Sequence, residues 1–187
     1  MEGGVSVVPK KIEEAFSEQI KFELESAYIY LSMAAYLDAE ALAGMGTWMR
    51  AQVQEEMTHA MRFYKHIVER GGHVKLHPLD MPPQDWKSPL AAFEAAYEHE
   101  KFITAKIDGL VKLAQAEGDH GSSTLLQWFV DEQVEEEANT SKVAQDLKLV
   151  GNDGRGILML DRELGMRTFV LAPELTALYA MGAAAGA

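Results

Sequence analysis

Four stretches of the chain place acidic or histidine side chains where they could meet. In QEEMTHAM, Glu56 and His59 stand three apart, a spacing that puts both on one face of a helix. In LQWFVDEQVEEEA, Gln133 and Glu136 have the same spacing, and Glu132 lies four before Glu136. Glu23 sits in FELESAYIYL, nearly surrounded by Ile20, Phe22, Leu24, Ala27, Ile29 and Leu31, with Tyr30 seven residues further along the same face. Glu100 follows Tyr97 in AAYEHEKFI. The chain has no cysteine. That excludes disulfides, thiolate zinc sites, iron–sulfur clusters and cysteine nucleophiles together. A metal would be held by Glu, Asp and His, which select hard or borderline ions. Each feature alone has an ordinary explanation. E-x-x-H arises by chance on many helices, a Glu-Glu-Glu run is usually a solvated face, and Glu100 beside Glu98 and His99 could be one of several exposed charges.

The elements that would carry these residues follow from proline and glycine. None of the six prolines falls between Lys10 and His77 or between Leu90 and Ala172. Proline is excluded from helix interiors, so these windows can hold long helices. They are rich in Ala, Leu, Met, Glu, Lys and Gln, all good helix formers, and no strand-like alternation interrupts them. Glycines divide them into helices over roughly 10–38, 46–70, 89–116, 122–149 and a short fifth over 157–167. Ser88-Pro89 reads as an N-cap followed by proline at the first helical position. Short links make helices one and two, and three and four, antiparallel hairpins. The link 73–89 has 17 residues, and extended it reaches about 55 Å. A helix of the second one's length is about 40 Å long, so the link can run the whole bundle and leave helices two and three parallel. The expected fold is all-α, a four-helix bundle with one long crossover and a short fifth C-terminal helix.

Composition bounds the function. Apolar residues make up 48% and charged residues 25% of 187, ordinary for one globular domain. Acidic residues outnumber basic ones 29 to 17, for a net charge of −12. Such a surface repels nucleic-acid phosphates and anionic lipid and attracts cations. The N-terminus carries no signal-peptide pattern, and the apolar stretch 169–187, with Pro173 and Glu174, is a weak membrane-spanning candidate. No nucleic acid, no membrane and a cytoplasmic location are expected. The outer helix faces keep apolar and aromatic residues, which predicts a homo-oligomer.

The segments AQVQEEMTHAMRF, AYEHEKFITAKI and LLQWFVDEQVEEEA, the lead-in SEQIKFELESAYIYLSMA and the crossover ERGGHVKL with PPQDWKSPLAAFE together resemble bacterial and archaeal non-haem ferritins. The resemblance covers about residues 9–167 and touches all four helices in order. It implies a ferritin-like domain over 1–167, with 168–187 a tail of unassigned role expected inside a shell. It also implies a di-iron centre, with Glu23, Glu56 and His59 forming a first iron site. Glu56, Glu100 and Glu136 form a second, with Gln133 close by. Glu55, Glu132 and Glu135, sharing Glu136, match a third. Charge suits this assignment: four buried carboxylates balance two Fe(II), and Glu56 has two oxygens with which to bridge them. Tyr30 matches a tyrosine that supplies an electron during oxidation, and Trp128 a second nearby aromatic. The implied activity is a ferroxidase that oxidises Fe(II) with dioxygen or hydrogen peroxide and stores ferric mineral in a shell of twenty-four subunits.

Two alternatives are weighed against it. A bacterioferritin-type protein would bind haem through a methionine at the position of Met57. Such proteins carry a second E-x-x-H on helix four, where this chain has Gln133 and Glu136, so no haem is expected. A non-catalytic helical bundle would have to leave inward Glu and Gln unpaired. The chain also departs from animal-type ferritins, since SSTLLQ, near the start of helix four, is not acidic; Glu117 and Asp119 lie nearby.

Overall fold

Local capping chemistry opens three of the helices. Ser88 Oγ accepts from the Ala91 amide at 3.1 Å, with Pro89 in the first turn, and starts α3 (Pro89–Ala116). The Asp119 carboxylate accepts from Ser122 N and starts α4 (His120–Val150). Asp153 accepts from Arg155 N and Gly156 N and starts α5 (Gly154–Leu164). Preceding them are α1 (Lys10–Ala39) and α2 (Ala43–Glu69). The computed structural model describes residues 7–171 together with 173, 175 and 176, and no strand occurs among them. Most of the tail expected over 168–187 therefore lies outside the described residues.

The main packing is α1 on α2 and α3 on α4, with α5 resting chiefly on α2. The crossover 70–88 threads along α1 in α1's own direction. His73 N donates to Glu13 Oε2 at 3.2 Å, Lys75 N to Ser17 Oγ at 3.2 Å and Asp80 N to Glu25 Oε1 at 2.8 Å. Ser32 Oγ donates to the Pro83 carbonyl at 2.6 Å, and Trp86 packs on Tyr36. These contacts step from the start of α1 to its end, so α3 begins at the far end of the bundle and runs parallel to α2, as the link length requires.

Two helix boundaries differ from the sequence expectation. Gly44, expected before the second helix, and Gly46, expected at its start, both lie inside the first turn of α2. A Cβ on Gly44 would stand 1.7 Å from the Asp161 carbonyl oxygen, and one on Gly46 would stand 2.4 Å from an Asp38 carboxylate oxygen. These glycines allow close packing and do not break the helix. Likewise α5 begins at Gly154 and ends at Leu164, which leaves Arg167 beyond its C-terminus. Glu117 and Asp119 are taken up by ion pairs with Lys11 and Arg70, both at 2.7 Å.

The interior has two apolar clusters. One gathers Tyr30, Met33, Leu37, Met45, Trp48, Phe93 and Leu147 at one end of the bundle. The other gathers Ile12, Phe16, Phe63, Ile67, Ile107, Leu126 and Phe129 at the other, where Phe63 and Phe129 stack at 4.2 Å. Each fully buried side chain of this size contributes about 1.5–3 kcal/mol. On every one of the four long helices a polar residue sits between the two clusters: Glu23, Glu56 with His59, Glu100, and Gln133 with Glu136. All of these side chains are buried.

Candidate metal centre

These six residues form one layer. On α1, Glu23 accepts from Gln19 Nε2 at 2.9 Å through Oε1, while its Oε2 is buried without a partner. On α2, His59 Nδ1 lies 3.3 Å from Glu56 Oε2, and its Nε2 lies 3.7 Å from Glu132 Oε1 on α4. The imidazole is held edge-on by Trp128 and Phe129, with ring centres 5.4 and 5.9 Å away. On α3, Glu100 accepts from the Tyr30 hydroxyl through Oε1 and from Gln133 Nε2 at 3.3 Å through Oε2. On α4, Glu136 Oε2 accepts from Gln52 Nε2 at 2.7 Å.

Among the described residues, two groups bring ligand atoms within 4.8 Å of one another: Glu23, Glu56 and His59, and His59, Glu132 and Glu136. The first coincides with the expected first site. The second places Glu132, expected at a third site, beside His59 and Glu136. Glu100 sits in the same layer through Tyr30 and Gln133. Gln133 turns its amide nitrogen toward Glu100 Oε2, the Glu100 carbonyl and Thr104 Oγ1, each at 3.3 Å. Of the remaining expected residues, Glu135 is exposed and Glu55 is half-buried, paired with Arg167 at 2.5 Å. Met57 is exposed, on the outside of the bundle.

The electrostatics are those of carboxylates crowded away from water. Burial raises Glu23, Glu56 and Glu136 above the usual carboxylate range. Burial, and then the Glu136 charge, raises Glu100 to about 8. Burial also raises Glu55 to about 7, against the opposing pull of Arg167. For His59 burial acts downward, but the Glu56 carboxylate and the hydrogen bond to Glu132 prevail and lift it well above its ordinary value. Burial, then Glu100, raises Tyr30. Burial thus favours the protonated form of each of these carboxyls. The Oε2 of Glu23 and Oε1 of Gln52 are buried oxygens with no donor to satisfy them, and a cation could satisfy them.

Two residues went unmarked in the sequence: Gln19, which orients Glu23, and Gln52, which orients Glu136. A signal was present, since each stands four residues before a ligand candidate, Gln19 before Glu23 and Gln52 before Glu56. That spacing puts an amide one turn away on the same face.

Comparison with known proteins shows what the chain as a whole is similar to. A family model described as a ferritin-like domain matches residues 13–150. A bacterial non-heme ferritin of Bacteroides fragilis is 39% identical over 161 residues, covering 86% of this chain and 100% of that one. Another, from Campylobacter jejuni, is 36% identical over 156 residues, covering 83% of this chain and 93% of that one. Among solved structures, an open-pore ferritin from the hyperthermophilic archaeon Archaeoglobus fulgidus superposes with a TM-score of 0.85 at 48% identity. The match covers 86% of this chain and 99% of that one.

Proposed function

The chain belongs to the ferritin family, and from that premise we propose that it is an iron-storage protein that oxidises Fe(II) at a two-metal centre inside each subunit. The observation that carries this reading is the polar layer between the two apolar clusters. Four carboxylates and a histidine converge there, out of water, with a carboxylate oxygen left unsatisfied. Such a layer costs several kcal/mol per group unless cations or protons occupy it. Fe(II) is the substrate. Two such ions bring the four positive charges that Glu23, Glu56, Glu100 and Glu136 lack.

The places of the side chains support the following roles. Glu23 and His59 hold iron at one position, Glu100 and Glu136 at the other, and Glu56 lies between them. Gln19 and Gln52 fix two of these carboxylates by hydrogen bonds. Trp128 and Phe129 fix the imidazole. Tyr30, fully buried and bonded to Glu100, stands ready to give up an electron. Iron loses one electron per ion to dioxygen or hydrogen peroxide, and the ferric product leaves for a central store. Exposed Tyr28, Leu31, Met81 and Phe102 suit burial between subunits of a closed homo-oligomer, twenty-four by family likeness. No haem is assigned, because Gln133 and Glu136 stand where bacterioferritin-type proteins carry the glutamate and histidine of a second E-x-x-H. The protein is read as cytoplasmic. Among the described residues no helix is long and apolar enough to cross a membrane.

The deciding experiment compares wild type with E56A/H59A. Anaerobic Fe(II) titration of the wild type is expected to saturate at two ions per subunit, and stopped-flow absorbance to show rapid ferric formation. The double variant should assemble but lose both. A wild type with no stoichiometric saturation would make the chain a structural bundle. A Soret band in the purified protein would favour the haem-binding reading.

A further inference from the structure

Arg167 stands among the carboxylates on the flank of the metal layer. Arg167 lies three residues beyond α5, and α5 is anchored on the start of α2. The Asp161 carboxylate accepts from the Met45 amide at 2.8 Å, and Gly44 leaves room for the Asp161 carbonyl. This docking returns the chain over α2. The Arg167 guanidinium lies 4.4 Å from the ring centre of Trp48, and its Nη2 donates to Glu55 Oε2 at 2.5 Å. Trp48 and Glu55 stand two turns apart on α2, so the aromatic face is a platform that aims the cation at the carboxylate. An arginine wholly committed to an ion pair engages a carboxylate with both arms of its fork. Here one arm is engaged, and Nη1 is buried without a hydrogen-bond partner.

Beside this pair runs an open cleft of about 510 Å³ between α2, α4 and α5, walled in part by Glu55, Glu135, Asn139, Glu163 and Arg167. Glu55 adjoins Glu56 in sequence, and Glu135 adjoins Glu136. Glu55 also feels the charges of Glu136, His59 and Glu132, so the cleft flanks the metal layer at a carboxylate that would take iron after the two-metal centre.

We propose that Arg167 is a resident counter-cation that keeps this third position closed, so that iron is held by Glu55 only after the guanidinium has left it. The inference rests on the iron-oxidising reading above. The single charge of Glu55 does not offset a guanidinium and a divalent ion together, so the two cations at contact distance on this half-buried carboxylate repel and compete for it. Leaving is feasible, since Glu135 walls the same cleft and can receive the guanidinium, whereas Glu163 also faces Lys142. A position opened in this way favours passage over storage. Arg167 is thus a positioning residue that sets when iron moves between the centre and the cleft.

The test is anaerobic Fe(II) calorimetry on assembled wild type, R167M, R167K and R167M/E55Q. R167M keeps the stem over Trp48 and removes the charge. R167M should bind a third Fe(II) per subunit about tenfold tighter than wild type, the scale of a lost charge-assisted hydrogen bond. R167K, which keeps the charge, should stay near wild type, and R167M/E55Q should lose the gain. Crystals of wild type soaked anaerobically in Fe(II) supply a second measurement through anomalous scattering at the iron edge. Wherever iron occupies Glu55, Arg167 should be turned away. An unchanged third step in R167M, or iron on Glu55 with Arg167 still paired, overturns the proposal. If R167M fails to assemble, the wild-type crystals decide. Absence of the first two binding steps in wild type would instead overturn the iron-oxidising reading.

Discussion

Replacing Glu100 by Gln should stabilise the metal-free protein while damaging its metal site. Glu100 is fully buried, and burial together with the Glu136 charge lifts its carboxyl from 4.5 to about 8. A group whose folded value is raised in this way contributes stability that is fully present below 4.5 and is lost as pH rises through about 8. At about 1.4 kcal/mol per pH unit, the loss is about 1 kcal/mol at pH 5 and about 3 kcal/mol at pH 7. E100Q carries no charge and escapes this loss. Its carbonyl can accept from Tyr30, and Gln133 can turn its amide to receive the new NH2. Burying an amide in place of a neutral carboxyl gives back part of the gain, which leaves about 2 kcal/mol at pH 7. For a chain of this size that is about 4–8 °C in Tm. Thermal melts of metal-free wild type and E100Q, at one protein concentration and at pH 5 and pH 8, measure it. The difference should be small at pH 5 and large at pH 8. Anaerobic Fe(II) titration of E100Q should show the second ion weakened by an order of magnitude or more. An E100Q protein that melts below wild type at both pH values would refute the claim that Glu100 is held for a metal at the expense of stability.

Wild-type metal-free protein should itself lose stability between about pH 5 and 8, since Glu23, Glu56, Glu100 and Glu136 are all raised by burial, while a protein loaded with redox-inert Zn(II) should lose far less over that range; melts across the range check both. Metal binding should release protons and tighten as pH rises, which calorimetry in buffers of different ionisation enthalpy reads directly. Q133E should raise affinity for the second ion and slow recovery of activity after the first oxidation cycle, because a carboxylate replaces a neutral amide beside Glu100; repeated-addition kinetics test this, and unchanged affinity would leave Gln133 a packing residue. G44A should detach α5, because its methyl would stand 1.7 Å from the Asp161 carbonyl. The expected cost is about 1–3 kcal/mol, with protease sensitivity appearing after Val150 while two-ion binding persists.

Much of this was legible in one dimension. Helix windows could be read from proline, because its ring is incompatible with a helix interior wherever the chain goes. The parallel course of α2 and α3 could be read from a link long enough to span the bundle, and the contacts of 73–86 along α1 bear that out. Glu56 with His59 could be read because i,i+3 spacing is a property of the helix itself. Other features depend on which helices meet. Gly44 looked like a helix boundary, yet it is a contact surface for Asp161, 117 residues away in sequence. Glu132 could be read as lying one turn from Glu136, but only the approach of α4 to α2 sets it beside His59 as well. Glu55 could be read as a metal candidate, but its pairing with Arg167 depends on the docking of α5. Local spacing determines which side chains share a face. Only the packing of one helix on another decides what that face meets, because the partners come from segments whose separation along the chain carries no information about their distance in space.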